Sequence, residues 1–587
     1  MKHLGTKTIE TRRLVLRRFT LSDAEPMYRN WASDPEVTRY LLWPAHESEE
    51  ETKGILKGWI AAYDKPEKYE WCIELKEIGE AIGSIGVVAV NEKVQSMEVG
   101  YCLSSDYWHK GIMSEALSAV VEYLTNEVGA RRIQARCDTR NPYSAKVMEK
   151  CGLKYEGTAI QAEWNNSGAG DVAYYGLSVE YPFNSLFKIN SLKLNPGDKV
   201  LLERGSVFSN QFLQIRDSGT KDNPIVIGAY GEDELPCINT NGQGIWYQDY
   251  GNPLDSLTHV YRGYVSSSVL LYDVEYITVE DLEISNKGND IIGESYSCID
   301  KMNRTGVAVV AKDKGVRCGI TLRNLFIHDV NGNVYDKHMN NGGIYMTCFK
   351  PTNVEETGVP RYKDILIERC FLYKTSRWGI AVGYTYAHDK FMGAELSEDS
   401  FLEYGHENIR ITDNYVKDIG GDGITVMYAL RPLVDYNMAD SIAQEINDRV
   451  YCEPGNKAGK VAAAIWPWKC KDALFTHNEV TDTRLNQDGM AYDADSGDGT
   501  IYEDNYSRQN EGGCVMFCLQ EAIHNTFRNN VSFDDLGGTI SPSENPDALI
   551  ENNTFYVRKG VPFVRKNMGG GNYVEVHNKF IELDDEN

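Results

Sequence analysis

The strongest constraint on the fold is a recurring asparagine. It stands in Leu322-Arg323-Asn324-Leu325-Phe326, Thr412-Asp413-Asn414-Tyr415-Val416 and Thr476-His477-Asn478-Glu479-Val480. It recurs in Glu503-Asp504-Asn505-Tyr506-Ser507, Arg528-Asn529-Asn530-Val531-Ser532 and Glu551-Asn552-Asn553-Thr554-Phe555. The last four fall at 478, 505, 530 and 553, so the steps are 27, 25 and 23. A drifting period of this size, made of short strands without helix, predicts stacked coils of a parallel β-helix. Asparagines stacked at one turn can share amide hydrogen bonds, so the column has a structural reason before any functional one.

A second column runs in step with the first. It reads Asn341-Gly342-Gly343, Trp378-Gly379, Asp422-Gly423, Asp488-Gly489, Glu511-Gly512-Gly513 and Leu536-Gly537-Gly538. Each Gly is expected to turn the chain into a strand, so the residue before it recurs in a similar place. Three of those residues are carboxylic: Asp422, Asp488 and Glu511.

The repeat begins only after Tyr181. Before it, strand and helix patterns alternate, as in the strand Met97 to Leu103 and the amphipathic helix Ser114 to Glu127. The expected division is an α/β domain over 1–181 and an all-β domain over 182–587. Residues from Pro182 to Leu192, with Phe183, Leu186 and Phe187 on one side, predict a short helix capping the first coil. At 587 residues the chain is too long for one ordinary core, which agrees with that division.

Charge narrows the partners. Lys+Arg number 60 against 86 Asp+Glu, a net charge of −26. Nucleic acids and anionic membranes both call for a positive surface, so neither is an expected partner. Neutral sugars remain compatible. No run of about 20 apolar residues appears, and the opening Met1 to Thr6 lacks an apolar leader, so the expected location is cytoplasmic. The thirteen cysteines form no CxxC pair and are expected as reduced thiols. The eleven histidines do not fall at metal-ligand spacing, and His477 is expected to be structural. No metal site is assigned.

In the first domain, His109-Lys110-Gly111-Ile112-Met113-Ser114 leads into a helix just after a strand. Free N–H groups and the positive dipole end make such a start a pyrophosphate site. With Glu10-Thr11-Arg12-Arg13-Leu14-Val15-Leu16, Asn141-Pro142-Tyr143-Ser144 and Met148-Glu149-Lys150-Cys151-Gly152-Leu153, the segment resembles the GNAT N-acetyltransferase superfamily. The similar branch acetylates ribosomal-protein N-termini. The resemblance implies acetyl-CoA held by His109 to Ser114, with Asn141 and Ser144 near the pantetheine arm. It implies an amine acceptor, such as a protein N-terminus, and Glu98 as general base. Two departures stand out. Ile112-Met113 replaces a second Gly, and Met148 stands where many relatives have the Tyr that serves as general acid, leaving Ser144 or water to protonate the thiolate.

In the second domain, Asp488, Asp493, Asp495 and Asp498 lie within eleven residues, and Glu511 lies one coil on. Coils stack about 4.8 Å apart. In-register carboxyls at 488 and 511 would approach the ~5–5.5 Å separation of a retaining glycosidase. Like charges that close raise one pKa and leave an acid beside a nucleophile. Asp422 is a candidate to join from an earlier coil. A long insertion from Tyr428 to Val461 and the side chains of Trp378, Trp466 and Trp468 are expected to wall a cleft and stack on sugar rings. Asp493, Asp495 and Asp498 also offer oxygen ligands for calcium, a weaker alternative that would suit a polysaccharide lyase. A non-catalytic sugar-binding β-helix is the third reading.

The β-helix domain resembles right-handed β-helix glycoside hydrolases and lyases, over about residues 183 to 580. Among them, the lacto-N-biosidase family uses two aspartates seven apart, and Asp488 and Asp495 fit that spacing. An extended run of that length spans roughly 23 Å, so the pair requires a sharp corner between its members. The substrate implied is a neutral oligosaccharide.

Overall fold

The computed structural model describes residues 1–178, 185–256, 259–288, 302–447, 449–450, 461–565 and 570–584. Contacts divide the chain into two units, Met1–Pro182 and Phe183–Asn587. The junction 179–184 lies outside the described residues, and Phe183 with it.

The first unit is built on an eight-stranded sheet. Its neighbouring strands are antiparallel except Ser96–Leu103 and Arg132–Asp138, which run parallel. That parallel pair is short: Ser96 faces Arg132, Met97 faces Ile133 and Glu98 faces Gln134. Beyond Glu98 the ladder stops and the strands part. The helix Ile112–Glu122 buries Ile112, Met113, Ala116, Leu117, Val120 and Val121 against the sheet, the expected apolar stripe begun two residues earlier.

The second unit is a parallel β-helix. Among the described residues it has three sheets, of 12, 11 and 13 strands, with parallel neighbours throughout apart from the hairpin of Ile245–Asp249 with Arg262–Tyr272. Strands such as Gly342–Cys348, Trp378–Thr385 and Asp422–Met427 are buried along their whole length. Both faces are covered, so these strands cannot show simple apolar–polar alternation. Ile344, Ile380 and Ile424 point into the coil core, while Tyr345, Trp378 and Met427 join a second apolar cluster outside it.

The asparagine column is a hydrogen-bonded ladder. Each backbone N–H and each side-chain Nδ2 donates to Oδ1 of the next member: Asn414 to Asn437, then Asn478, Asn505, Asn530, Asn553 and Asn578. Asn324 is not a rung. In register, Phe326 matches Phe371 and Tyr415, so Leu325 and Cys370 occupy the ladder position and Asn324 lies one residue early, at φ 51°. Asn437 was hidden because Tyr428 to Val461 reads as an insertion. It is instead largely a coil, with strands Leu433–Asp435 and Met438–Ile442, and 451–460 lies outside the described residues.

The short cap is present as Leu186–Asn190, with Ser185 Oγ accepting from Phe187 N. Leu186 and Ile189 enter the coil core, but Phe187 is half exposed and rests on Phe212, 5.3 Å between ring centroids.

The ladder gives a direct stability test. Asn505 accepts from Asn478 N and Nδ2 and donates to Phe475 O and Asn530 Oδ1, at 2.8–3.0 Å. Asn505→Ala leaves several of these buried groups unpaired, at about 1–3 kcal/mol each before relaxation. We expect a loss of about 2–5 kcal/mol, read as a lower denaturant midpoint. An unchanged midpoint would mean the rungs do not hold the coils.

Candidate active sites

In the first unit, the parted strands open a cavity of about 920 Å³. Glu98, His109, Gly111, Ile112, Met113, Ser114, Asn141 and Ser144 line it. Lys110 does not. Its ammonium lies over the Tyr107 ring, 5.2 Å from the centroid. The loop reaches the helix through two left-handed residues, His109 at φ 61° and Gly111 at φ 71°. Arg13 ties it down by donating Nη1 to Lys110 O at 3.0 Å, while Arg13 Nε meets Glu115 at 2.7 Å. The first turn of Ile112–Glu122 thus lines the cavity from a loop held in place by Arg13.

Glu98 is 9% exposed. It accepts from Gln134 Nε2 at 3.0 Å and lies 3.3 Å from Arg136 Nε. Asn141 caps Pro142–Lys150 by accepting from Ser144 N, and Ser144 Oγ meets Tyr101 Oη at 3.0 Å. Met148 is fully buried, so it only packs.

In the second unit, the aspartates stand on the outer face of the 11-stranded sheet. Three successive strands build the place: Ile465–Trp468, Met490–Asp495 and Gly513–Cys518. Trp468 pairs with Asp495, and Asp495 with Cys518 on the next coil. Asp493 and Asp495 share a face because strand side chains alternate. Between Asp488 and Asp495 the chain turns at Gly489, φ 79°, and then runs extended through Met490–Asp495. A Cβ on Gly489 would meet Arg484 O at 2.8 Å and Leu485 Cα at 2.9 Å, so glycine is needed.

Burial raises the carboxyl pKa of all three. Asp488 is pushed up to about 6, with Asp422 adding repulsion. Asp495 is pushed up to about 7, with Asp488 adding repulsion. Asp493 rises furthest, under burial and the charges of Asp495 and Asp488, and its Oδ1 is buried without a hydrogen-bond partner. Lys337 opposes all three shifts. It comes from the turn before Gly342–Cys348 and lies over the Trp466 ring at 5.5 Å. Asp488 and Asp495 keep partial exposure while Asp493 is buried, so the first two are the ones a ligand can reach.

The remaining sequence candidates fall elsewhere. Glu511 aligns with Asp488 by extension of the Met490–Gly513 register, but its carboxylate turns away. It accepts from Arg484 at 2.9 Å, Arg449 at 3.0 Å and Leu485 N at 2.9 Å, and these contacts overcome burial and lower its pKa. The 488–511 pairing is therefore corrected to a salt-bridged Glu511. Asp422 is two positions out of step with Asp488, since Ile424, Ile465 and Tyr492 align. It is wholly buried, 3.2 Å from the equally buried Arg377, and accepts from Ala463 N and Trp466 Nε1. Asp498 leaves the proposed calcium trio for Lys471, His524 and Leu396 N. Trp378 is fully buried with Nε1 bound to Lys337 O at 2.7 Å, and Trp466 is 4% exposed. Neither offers a stacking face as expected. Trp468 alone of the three is partly exposed.

Comparison with known proteins agrees with this division. Residues 13–154 match the family model described as acetyltransferase (GNAT) domain. Over 169 residues, 29% of this chain and 95% of the relative, the sequence is 34% identical to an uncharacterized N-acetyltransferase, YoaA, of Bacillus subtilis. Over 432 residues the chain is 41% identical to a lacto-N-biosidase of Bifidobacterium longum, 67% of this chain but 27% of that protein. A crystal structure of a GH136 lacto-N-biosidase from Eubacterium ramulus matches at TM-score 0.68 and 65% identity, over 69% of this chain and 66% of that one. The chain thus belongs, through its first unit, to the GNAT acetyltransferases. Its second unit is homologous to lacto-N-biosidases, and both homologies are to enzymes. The chain spans about a quarter of the length of the Bifidobacterium relative.

Proposed function

We propose that the second unit is a glycosidase that releases lacto-N-biose from a neutral oligosaccharide, with Asp488 and Asp495 as the reacting pair. One observation carries the reading. Asp488 and Asp495 are partly exposed carboxyls on either side of the turn at Gly489, Asp495 feels the charge of Asp488, and their pKa values are raised to about 6 and about 7. Between those values the pair holds a single proton, so one member is an acid and the other a base or nucleophile. Behind them, burial and the charges of Asp495 and Asp488 favour the neutral form of Asp493, and Lys337 offsets part of the negative charge. Trp468 offers an apolar edge for a sugar ring.

The bond cleaved joins the anomeric carbon to the leaving-group oxygen. The acid protonates that oxygen, the carboxylate attacks the anomeric carbon, and water later completes the exchange. This course retains the anomeric configuration. The test is proton NMR of an aryl β-lacto-N-bioside during turnover. The β anomer of the disaccharide should form first, and first formation of the α anomer would refute the retaining pair.

For the first unit we propose acetyl transfer from acetyl-CoA to an amine, in keeping with its family. The helix start at Ile112 would hold the pyrophosphate, and Asn141 and Ser144 would border the pantetheine arm. Glu98 would take the amine proton, directly or through water, with Arg136 and Gln134 fixing its carboxylate. Glu98→Gln should lower kcat for acetylation of a peptide amine by about 10²-fold with little change in the KM for acetyl-CoA. An equal kcat would remove Glu98 from the mechanism.

A further inference from the structure

We propose that Asp255, His259 and His338 form a binding site for a divalent first-row transition-metal ion, of which Zn²⁺ is the natural probe. No comparison or motif assigns these residues a role. One ligand atom from each lies within 4.8 Å of the other two. His259 Nδ1 already sits 3.1 Å from Asp255 Oδ1, and the rings of His259 and His338 are 4.5 Å apart.

The second observation is His338 itself. It is 5% exposed, and its Nδ1 is buried without any hydrogen-bond partner. A ring nitrogen left bare inside a protein is costly, and a metal ion removes that cost. The ring is also held in place. It stacks on Tyr384 at 3.9 Å, and its backbone carbonyl accepts from Tyr250 Oη at 2.8 Å and Gln248 Nε2 at 3.1 Å. Tyr384 Oη donates to Asp255 Oδ1 at 3.1 Å, so the carboxylate too has an outer partner that orients it.

Two imidazoles and one carboxylate form a donor set used by zinc and by other first-row ions at sites that keep open positions. Ligand bonds of about 2.0–2.1 Å place tetrahedral donors about 3.3 Å apart. The observed spread therefore requires a small inward movement. Asp255 and His259 are placed to supply it, because their side chains, 31% and 12% exposed, are less enclosed than that of His338. Calcium is disfavoured, since it takes an all-oxygen shell.

The site also touches the glycosidase reading, on which this last consequence rests. His338 directly follows Lys337, the ammonium facing Asp488, Asp493 and Asp495. An ion on His338 would fix the turn that presents Lys337.

The experiment uses the full chain, stripped with chelator and dialysed, then titrated with Co²⁺ alone. We expect one equivalent bound, with visible d–d absorption that Zn²⁺ abolishes. Asp255→Asn and His259→Ala, both on the more exposed side, should each weaken Co²⁺ binding at least tenfold with circular dichroism unchanged. No uptake by the wild-type chain would overturn the site, as would unaltered affinity in both variants. A thiolate charge-transfer band would move the ion to Asp493, Asp495 and Cys518, whose ligand atoms also cluster within 4.8 Å, and would equally overturn it. Binding is read without turnover, so its failure leaves the glycosidase reading standing.

Discussion

Asp488→Asn is expected to slow glycoside hydrolysis by about 10²–10⁴-fold, the usual worth of a positioned acid or base. The coils should stay assembled, because Asn and Asp have nearly the same shape and the backbone N–H of Asp488 is held separately by Asn486 Oδ1 at 2.8 Å. The wild-type kcat/KM should be bell-shaped in pH. Its acid limb lies near 6 and its alkaline limb near 7, where the Asp488–Asp495 pair takes up a second proton and gives up its last. In the variant, Asp495 no longer faces the Asp488 charge, so its pKa falls and the alkaline limb of any residual activity moves to lower pH. Normal turnover by Asp488→Asn would remove this residue from the chemistry. The same raised values affect stability with a definite sign. These carboxyls favour the folded state fully below their ordinary pKa of 3.8, and that contribution fades as pH rises through about 6 to 7.

The second large effect is expected at Arg377. Its guanidinium and the Asp422 carboxylate are both wholly buried, 3.2 Å apart. Arg377→Leu leaves Asp422 charged or newly protonated among Trp466, Ala463 and the other aspartates. The expected loss is about 3–5 kcal/mol, the cost of breaking a buried ion pair from one side. The double variant Arg377→Leu, Asp422→Leu should recover much of that loss, because replacing both charges is often close to neutral. Denaturant midpoints of the two variants provide the comparison. A double variant no more stable than the single one would contradict the charge-burial account.

Much of the fold was legible because repeating chemistry leaves a repeating text. Asn478, Asn505, Asn530 and Asn553 form rungs of one ladder, and their spacing alone implied coils. The acetyltransferase reading rested on a loop, a helix start and flanking phrases that survive intact in a local stretch. Asn324 misled because a turn asparagine at positive φ and a ladder asparagine differ by one position, and a single letter carries no register. Glu511 misled for a related reason. Register fixes where a Cα sits, while the partner guanidiniums of Arg484 and Arg449 decide where the carboxylate points. Trp378 was expected at a sugar face, yet a strand covered on both sides gives no polarity signal to tell inside from outside.

Long-range groupings were the least legible part. Lys337 has no motif around it, and only the fold carries it to Asp488, Asp493 and Asp495. His259 and His338 are 79 residues apart in sequence, so metal-ligand spacing could not reveal them. The aspartate cluster itself was readable, since Asp488, Asp493 and Asp495 are neighbours in sequence. The turn at Gly489, φ 79°, was not, because one glycine among many carries no sign of its backbone angle.

The most direct test of the account is whether the purified full chain cleaves an aryl β-lacto-N-bioside, with Asp488→Asn run beside it. Product mass and ultraviolet absorbance should both be read. The account predicts a saturated reducing disaccharide from the wild-type chain and almost none from the variant. An unsaturated, ultraviolet-absorbing sugar would contradict it, as would no release by a folded wild-type chain.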